Sequence, residues 1–330
     1  MQKLIVILGP TASGKSDVAV SLAKKYNGEV ISADSRQVYK GLDIGTGKIT
    51  KKEMKGVKHY LLDVVNPILR LRSGQERFTA SDFVKLTSGA IAQIVTKNKV
   101  PIVCGGTGFY IDALLGDKQI PEVPPNEKLR KQLEKKSAEK LFKILKKLDP
   151  ERAKNIDARN SRRLIRAIEI CKALGKVPKL QIINPKSEIR NKFKIIKIGI
   201  APQKKITHPN PSLTLREGQK GEKYVFDEEE LRKRINKRIQ KWFKMGLLKE
   251  VHNLHKKGLS WKRMGEIGLE YKIVSLFLQN KISKSKMVER MQNETWQYAK
   301  RQITWFKRDQ NTIWLSPKIS QFEKEVREFL

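Results

Sequence analysis

Gly9-Pro10-Thr11-Ala12-Ser13-Gly14-Lys15-Ser16 follows an apolar run, Leu4-Ile5-Val6-Ile7-Leu8, and precedes an amphipathic segment from Asp17 to Tyr26. Strand, glycine-bearing loop and helix in that order satisfy G-x-x-x-x-G-K-[ST], the phosphate-binding loop. The chemistry lies in the backbone. Such a loop aims consecutive N–H groups inward, and the helix N-terminus adds the positive end of its dipole. Gly9 and Gly14 permit turns that a side chain would obstruct. Lys15 brings a point charge to the outer phosphate, and Ser16 offers a hydroxyl to Mg²⁺. The loop specifies a di- or polyphosphate; it does not say which, nor what happens to it.

Beyond this helix, Glu29-Val30-Ile31-Ser32-Ala33 reads as a second strand, ending at Asp34-Ser35-Arg36-Gln37. In a doubly wound sheet the residues just past strand C-termini face the ligand crevice. Asp34 is therefore either a reacting carboxylate or an ordinary turn residue. Tyr39 to Lys48, with Gly41, Gly45 and Gly47, reads as a loop, and His59 to Val65 as a strand. Phe83, Leu86, Ile91, Ile94 and Val95 have helical spacing between Thr79 and Thr96. Val100 to Cys104 is a buried strand closed by Gly105-Gly106-Thr107-Gly108, with a helix from Phe109 to Leu115. Thr107 then lies in the crevice. No acidic residue ends this strand, which argues against a motor ATPase.

A proline-rich hinge at 116–125 leads into charged helices: Asn126 to Lys136, Ser137 to Leu148 and Asn160 to Leu174. Lys194 to Ile200 reads as a returning strand. Residues 203–223 are polar, with Pro209, Pro211, Gly218 and Gly221, and read as a flexible loop. Helices follow over Asp227 to Gly246, Leu247 to Lys257, Gly268 to Gln279 and Ser283 to Phe306. The expected architecture is α/β: a P-loop-type parallel core over 1–118, a helical basic insertion over 119–192, and a return strand with C-terminal helices over 193–330.

Charge narrows the partners. The chain carries 70 Lys and Arg against 34 Asp and Glu, a net +36, so a polyanion is expected, with nucleic acid first. The stretch 122–194 is the densest, with 22 basic against 9 acidic residues. Cys104 and Cys171 form no C-x-x-C pair, which fits a reducing cytoplasm. No apolar run is long enough to span a membrane, and the chain begins in a strand without a signal peptide. His252 and His255 read as exposed helix residues rather than metal ligands.

Several separate stretches resemble one family, the bacterial tRNA dimethylallyltransferases, also called tRNA isopentenyltransferases. They are GPTASGKS (9–16), ISADSRQVYKGLDIGTGK (31–48), GGTGFYIDALL (105–115), RNSRRLIRAIEI (159–170), GEIGLEYK (265–272) and YAKRQITWFKRD (298–309). The resemblance implies transfer of a dimethylallyl group from dimethylallyl diphosphate to N6 of the adenine 3′-adjacent to the anticodon in tRNA. Diphosphate leaves, Mg²⁺ assists, and the protein is expected to act as a cytoplasmic monomer. It implies that Gly9, Thr11, Ala12, Ser13, Gly14, Lys15 and Ser16 hold the diphosphate, not ATP, together with Arg234 and Arg238. Asp34 is implied as general base. Ser35, Arg36, Gln37, Thr107, Arg130, Arg162, Arg163, Leu164, Ile165 and Arg166 are implied as tRNA contacts. One departure stands out: Glu228 follows Asp227 where the family usually has arginine, so a phosphate-directed arginine is absent there. A P-loop kinase of a small nucleotide or metabolite is the alternative, and it would hydrolyse ATP slowly without an acceptor.

Overall fold

The computed structural model describes residues 1–68, 78–117, 121, 123–178, 188–206, 214–217, 223–317 and 319–330. It divides into two compact units: Met1–Leu115 with Lys186–Leu330, and Gly116–Pro185. The division, at 115/116 and 185/186, falls a few residues earlier in the chain than the 118/119 and 192/193 boundaries drawn from the sequence.

The first unit opens with β1 (Gln2–Leu8), α1 (Lys15–Lys25), β2 (Gly28–Ser32), α2 (Lys51–Met54), β3 (His59–Tyr60), α3 (Ala80–Val95), β4 (Val100–Gly105) and α4 (Gly108–Leu115). The second unit holds α5 (Glu127–Glu134), α6 (Ala138–Leu148), α7 (Pro150–Lys154) and α8 (Ser161–Leu174). The first resumes with α9 (Glu188–Lys192), β5 (Phe193–Ile200), β6 (Gln203–Ile206), β7 (Thr214–Glu217) and β8 (Lys223–Phe226). It ends with α10 (Glu228–Met245), α11 (Leu247–Lys256), α12 (Trp261–Ile267), α13 (Leu269–Leu278), α14 (Lys284–Phe306), β9 (Ile313–Leu315) and α15 (Ile319–Phe329).

Six strands form one sheet in the order β3-β2-β4-β1-β5-β9, and every pair is parallel. Both faces are covered, which is why the strands read as unbroken apolar runs. Leu4, Val6 and Leu8 of β1 enter one core with α3, α4, α10, α13 and α14. Ile5 and Ile7 enter the other, with Val18, Ala19 and Leu22 of α1 and Phe322 and Val326 of α15. Alternate side chains of one strand thus serve opposite layers. Because β2, β4 and β1 are neighbours, their C-terminal turns open at the same edge of the sheet.

Two sequence expectations change. The strand expected from His59 to Val65 stops after Tyr60, because Leu61 and Asp63 adopt left-handed φ of 60° and 56°. Val65 keeps only an isolated parallel bridge to Tyr39. The stretch 203–223 is not all loop: β6, β8 and β7 pair antiparallel in that order. Strand formers in Tyr224-Val225-Phe226 and Thr214-Leu215 outweigh the surrounding turn residues. Residues 207–213 and 218–222 of that stretch lie outside the described ones. Among the described residues, no helix is long and apolar enough to cross a membrane.

In the second unit, Leu133, Leu141, Leu145, Leu164, Ile165 and Ile168 form a separate core. Side-chain caps start its helices: Asn126, Ser137, Asp149 and Asn160 each accept a backbone N–H of the first turn.

Candidate active site

The phosphate loop leaves β1 at Gly9, whose φ is 154° and where a Cβ would come within 2.3 Å of the Ile200 carbonyl oxygen. Only glycine fits. The loop ends at Gly14, also in the left-handed region, and α1 starts at Lys15. Among the described residues, no protein acceptor meets the N–H groups of Gly14, Lys15 and Ser16. They are the orphan donors of a helix start. Ser13 Oγ is fully buried and likewise lacks a partner. Thr11 is used differently. Its N–H donates to Gln302 Oε1 at 2.9 Å and its hydroxyl accepts from Arg238 Nη1 at 3.1 Å. It tethers the loop rather than facing it inward.

Lys15 Nζ folds back to the Pro10 carbonyl at 3.2 Å. Burial lowers its pKa, the Arg238 charge adds to the lowering, and the Cys104 and Asp34 groups oppose it. Arg238, like Lys15, is half-buried. It lies 4.8 Å from the Trp242 ring centre and reaches the Gly47 carbonyl at 3.4 Å. Its pKa too is lowered by burial, against the pull of Glu270, Asp34 and Glu53. Lys15, Ser16, Arg234 and Arg238 line one cavity of about 1130 Å³, together with Lys48, Lys52, Lys237 and Lys241 and the apolar Ile44, Ile49 and Trp242. Arg234 is already engaged, its Nε 2.7 Å from Glu230 Oε1. Lys48 is spent on Asp43 and Asp63 at 2.7 and 2.6 Å.

Asp34 follows β2, with β4 between it and the phosphate loop. Its Oδ1 accepts from the backbone N–H of Arg36 at 2.8 Å and of Gln37 at 3.3 Å. This Asx turn fixes the carboxylate through Oδ1 and, among the described residues, leaves Oδ2 without a hydrogen-bond partner. Thr107, expected to touch RNA, accepts from the Ser35 N–H at 3.0 Å. It therefore holds the Asp34 loop. Gln37 also works inward: its Oε1 takes the Ser32 hydroxyl and its Nε2 reaches the Thr46 and Gly47 carbonyls. The Arg36 side chain is exposed.

The expected RNA-contacting helix, α8, divides sharply. Leu164 and Ile165 are core residues, so their side chains build the helix layer and present nothing to a ligand. Arg130 and Arg166 both close on Glu169, whose side chain is 1% exposed. Arg130 is bidentate, at 2.9 and 2.8 Å, and Arg166 also donates to the Val123 carbonyl. Burial would raise the Glu169 pKa, but the two arginines and the Asn126 N–H hold it below the usual range. Arg162 and Arg163 are exposed on the same helix.

Sequence reasoning missed the residues that bind these loops together. Gln302 donates to the Gly106 carbonyl at 2.8 Å while accepting from Thr11, so one amide joins the β1 and β4 turns. Glu250 accepts three successive N–H groups, from Asp43, Ile44 and Gly45, and the Tyr271 hydroxyl at 2.7 Å. Glu270 has its pKa pushed up to about 7, chiefly by burial and slightly by Asp34, against Arg238 and Arg36. The only sequence signal for Glu270 and Gln302 was their place in the stretches 265–272 and 298–309; Glu250 lies in neither.

The sequence model of the IPP transferase family matches residues 37–211 and 219–309. The chain belongs to this family. The IPP transferases similar to it include the tRNA dimethylallyltransferase of Acetivibrio thermocellus, 37% identical over 96% of this chain and 92% of that one. That of Lachnoclostridium phytofermentans is 38% identical over 96% and 93%. A solved tRNA isopentenylpyrophosphate transferase from Staphylococcus epidermidis superposes with a TM-score of 0.65, at 33% identity over 100% of this chain and 99% of that one. A eukaryotic dimethylallyltransferase acting on tRNA superposes with a TM-score of 0.73, at 25% identity, covering 100% and 77%. The parallel six-stranded sheet and flanking helices are those of the family's solved members.

The metal expected at Ser16 can be judged on the donor set. Among the described residues, no group of three or more His, Cys, Asp and Glu side chains could hold an ion alone. The Ser16 hydroxyl opens into the cavity beside Lys15. That fits Mg²⁺ carried on a diphosphate, since Mg²⁺ takes most of its ligands from substrate phosphates and water.

Proposed function

We propose that this IPP transferase moves a dimethylallyl group from dimethylallyl diphosphate to N6 of the adenine 3′-adjacent to the anticodon of tRNA. The observation that carries the proposal is the pairing of two sites at one sheet edge. A basic cavity with orphan loop N–H groups follows β1, and a fixed carboxylate follows β2.

The allylic C–O bond breaks and its electrons stay on the diphosphate oxygen. The loop N–H groups, Lys15 and Arg238 oppose the charge where it grows. The N6 lone pair forms the new C–N bond, and Asp34 Oδ2 takes the proton that N6 loses. Mg²⁺, held by Ser16 and the diphosphate, would add further charge neutralisation on the leaving group. The adenine has to leave its stack to reach this edge, as bases undergoing chemistry do. The exposed arginines of α8 and the net +36 suit a polyanionic acceptor. We take the enzyme to be a cytoplasmic monomer.

The test is incubation with radiolabelled dimethylallyl diphosphate, Mg²⁺ and unmodified tRNA or free AMP. Label is expected in tRNA alone. Label in AMP alone would overturn the acceptor, and ATP turnover without label transfer would return the reading to a kinase.

A further inference from the structure

Helix α14 presents Tyr298, Gln302 and Trp305 on one face, at spacings of four and three residues. Two of them are pinned to the crevice. Gln302 joins the Gly106 and Thr11 turns. Trp305 donates to Asp112 at 3.1 Å and lies so close to Gly108 that a Cβ there would fall 2.3 Å from its ring. Tyr298 therefore sits about one helical turn, roughly 5.4 Å, before Gln302 along the same crevice.

Asp34, Arg36, Glu270 and Arg301 lie near enough to act on its phenol electrostatically. Burial and the two carboxylates push the phenol pKa upward, so at neutral pH it is an O–H donor. Among the described residues this hydroxyl has no hydrogen-bond partner, and 37% of the residue is open to solvent. A crevice wall thus holds a fixed acceptor, Asp34, and an uncommitted donor.

That pairing has a chemical meaning. Adenine carries an N–H₂ donor at C6 flanked by bare ring nitrogens, N1 and N7, both acceptors. Guanine carries an acceptor at C6 and an N–H at N1. An ionised carboxylate can only accept, and this phenol is placed to donate. We propose that Tyr298 is a specificity-determining residue whose hydroxyl donates to the ring nitrogen beside the acceptor amine, so that Asp34 and Tyr298 together select adenine. The inference rests on the adenine acceptor proposed above. A guanine would set its O6 against Asp34 and leave buried polar groups unpaired, the strongest route to discrimination between similar bases.

The experiment is single-turnover transfer from saturating donor to three anticodon stem–loops. They carry adenosine, 1-deazaadenosine or 7-deazaadenosine at the acceptor position. The wild type is expected to lose about tenfold on one deaza base, the size of one hydrogen bond. Tyr298→Phe should lose about tenfold on adenosine and nothing more on that same deaza base. Its donor affinity and thermal midpoint should match the wild type. The inference is overturned if Tyr298→Phe transfers to adenosine at the wild-type rate, if neither deaza base slows the wild type, or if both penalties persist in the variant. Failure of the wild type to label the adenosine stem–loop would instead overturn the acceptor itself, and this inference with it.

Discussion

Lys15 and Arg238 in the crevice and Arg130 and Arg166 in the insertion are held in opposite ways. The crevice cations are half-buried and, among the described residues, have no carboxylate in salt-bridge contact; they lean on carbonyls, a hydroxyl and an aromatic ring. The insertion cations converge on one buried carboxylate, Glu169. Burying an unpaired charge costs stability, whereas a paired and hydrogen-bonded one is part of the scaffold. The first pair is thus arranged for an anion that arrives later, and the second already has its anion. A count of basic residues treats all four alike.

The largest expected effect lies on the crevice side. Asp34→Asn keeps a hydrogen-bond acceptor toward the amine but cannot take its proton. Single-turnover transfer should slow by about 10²–10⁴-fold with donor affinity intact. A wild-type rate in this variant would move the proton to another acceptor, such as the departing diphosphate.

Lys15→Met should remove about 2–4 kcal/mol of transition-state stabilisation. Because it also removes a half-buried charge without a carboxylate partner, the ligand-free variant should melt higher than the wild type, a trade of function against stability. Slow transfer with an unchanged or lower melting point would break the contrast drawn here.

Glu169→Ala tests the other side. It should cost about 2 kcal/mol in stability by removing charge-assisted hydrogen bonds, with donor affinity unchanged. Arg166→Ala should follow it in stability. Arg163→Ala, on the exposed face, should leave stability alone and flatten the salt dependence of tRNA binding by about 0.7–0.9 in log–log slope. Equal salt slopes for the two arginine variants would erase the distinction.

The smallest effect concerns Glu270. Its folded pKa of about 7 lies above the ordinary 4.5. The fold therefore disfavours the ionised form, and stability present below pH 4.5 is lost as pH rises through 7. Glu270→Gln removes that loss. Urea midpoints from pH 4.5 to 7.5 should show the variant gaining on the wild type across the window, and parallel curves would assign the carboxyl an ordinary pKa.

The phosphate loop and the position of Asp34 were readable because a strand–turn–helix unit forces its residues to the sheet edge, whatever the rest of the chain does. The parallel sheet was readable for the same reason: apolar runs without alternation need two covered faces. Ends set by a single residue were not. Leu61 cuts short a strand whose composition favours extension. The internal hydrogen bonds of Thr107 and Gln37 were not readable because a polar residue in a crevice looks the same in sequence whether it faces a ligand or a backbone group. Gln302 and Glu250 act across more than 190 residues of chain, and no local pattern encodes such a partner. The pairing of Arg130 and Arg166, implied as tRNA contacts, was not readable because Glu169 lies 39 residues from one and on the inner face of the helix carrying the other.

The central strand also sets a timetable for the chain as it is made. β1 is made well before its sheet neighbours, β4 at 100–105 and β5 at 193–200. Lys3 of β1 reaches the Leu330 carbonyl at 2.7 Å. The residues of the insertion, with a core of their own, are all made before β5 exists. During synthesis the insertion can settle first, while the phosphate loop waits for the strand that closes over Gly9. Long-range parallel pairing of this kind is slow and leaves sheet edges open in the interval. An enzyme whose leaving-group site hangs from β1 becomes competent only after β5, made far later in the chain, has docked beside it.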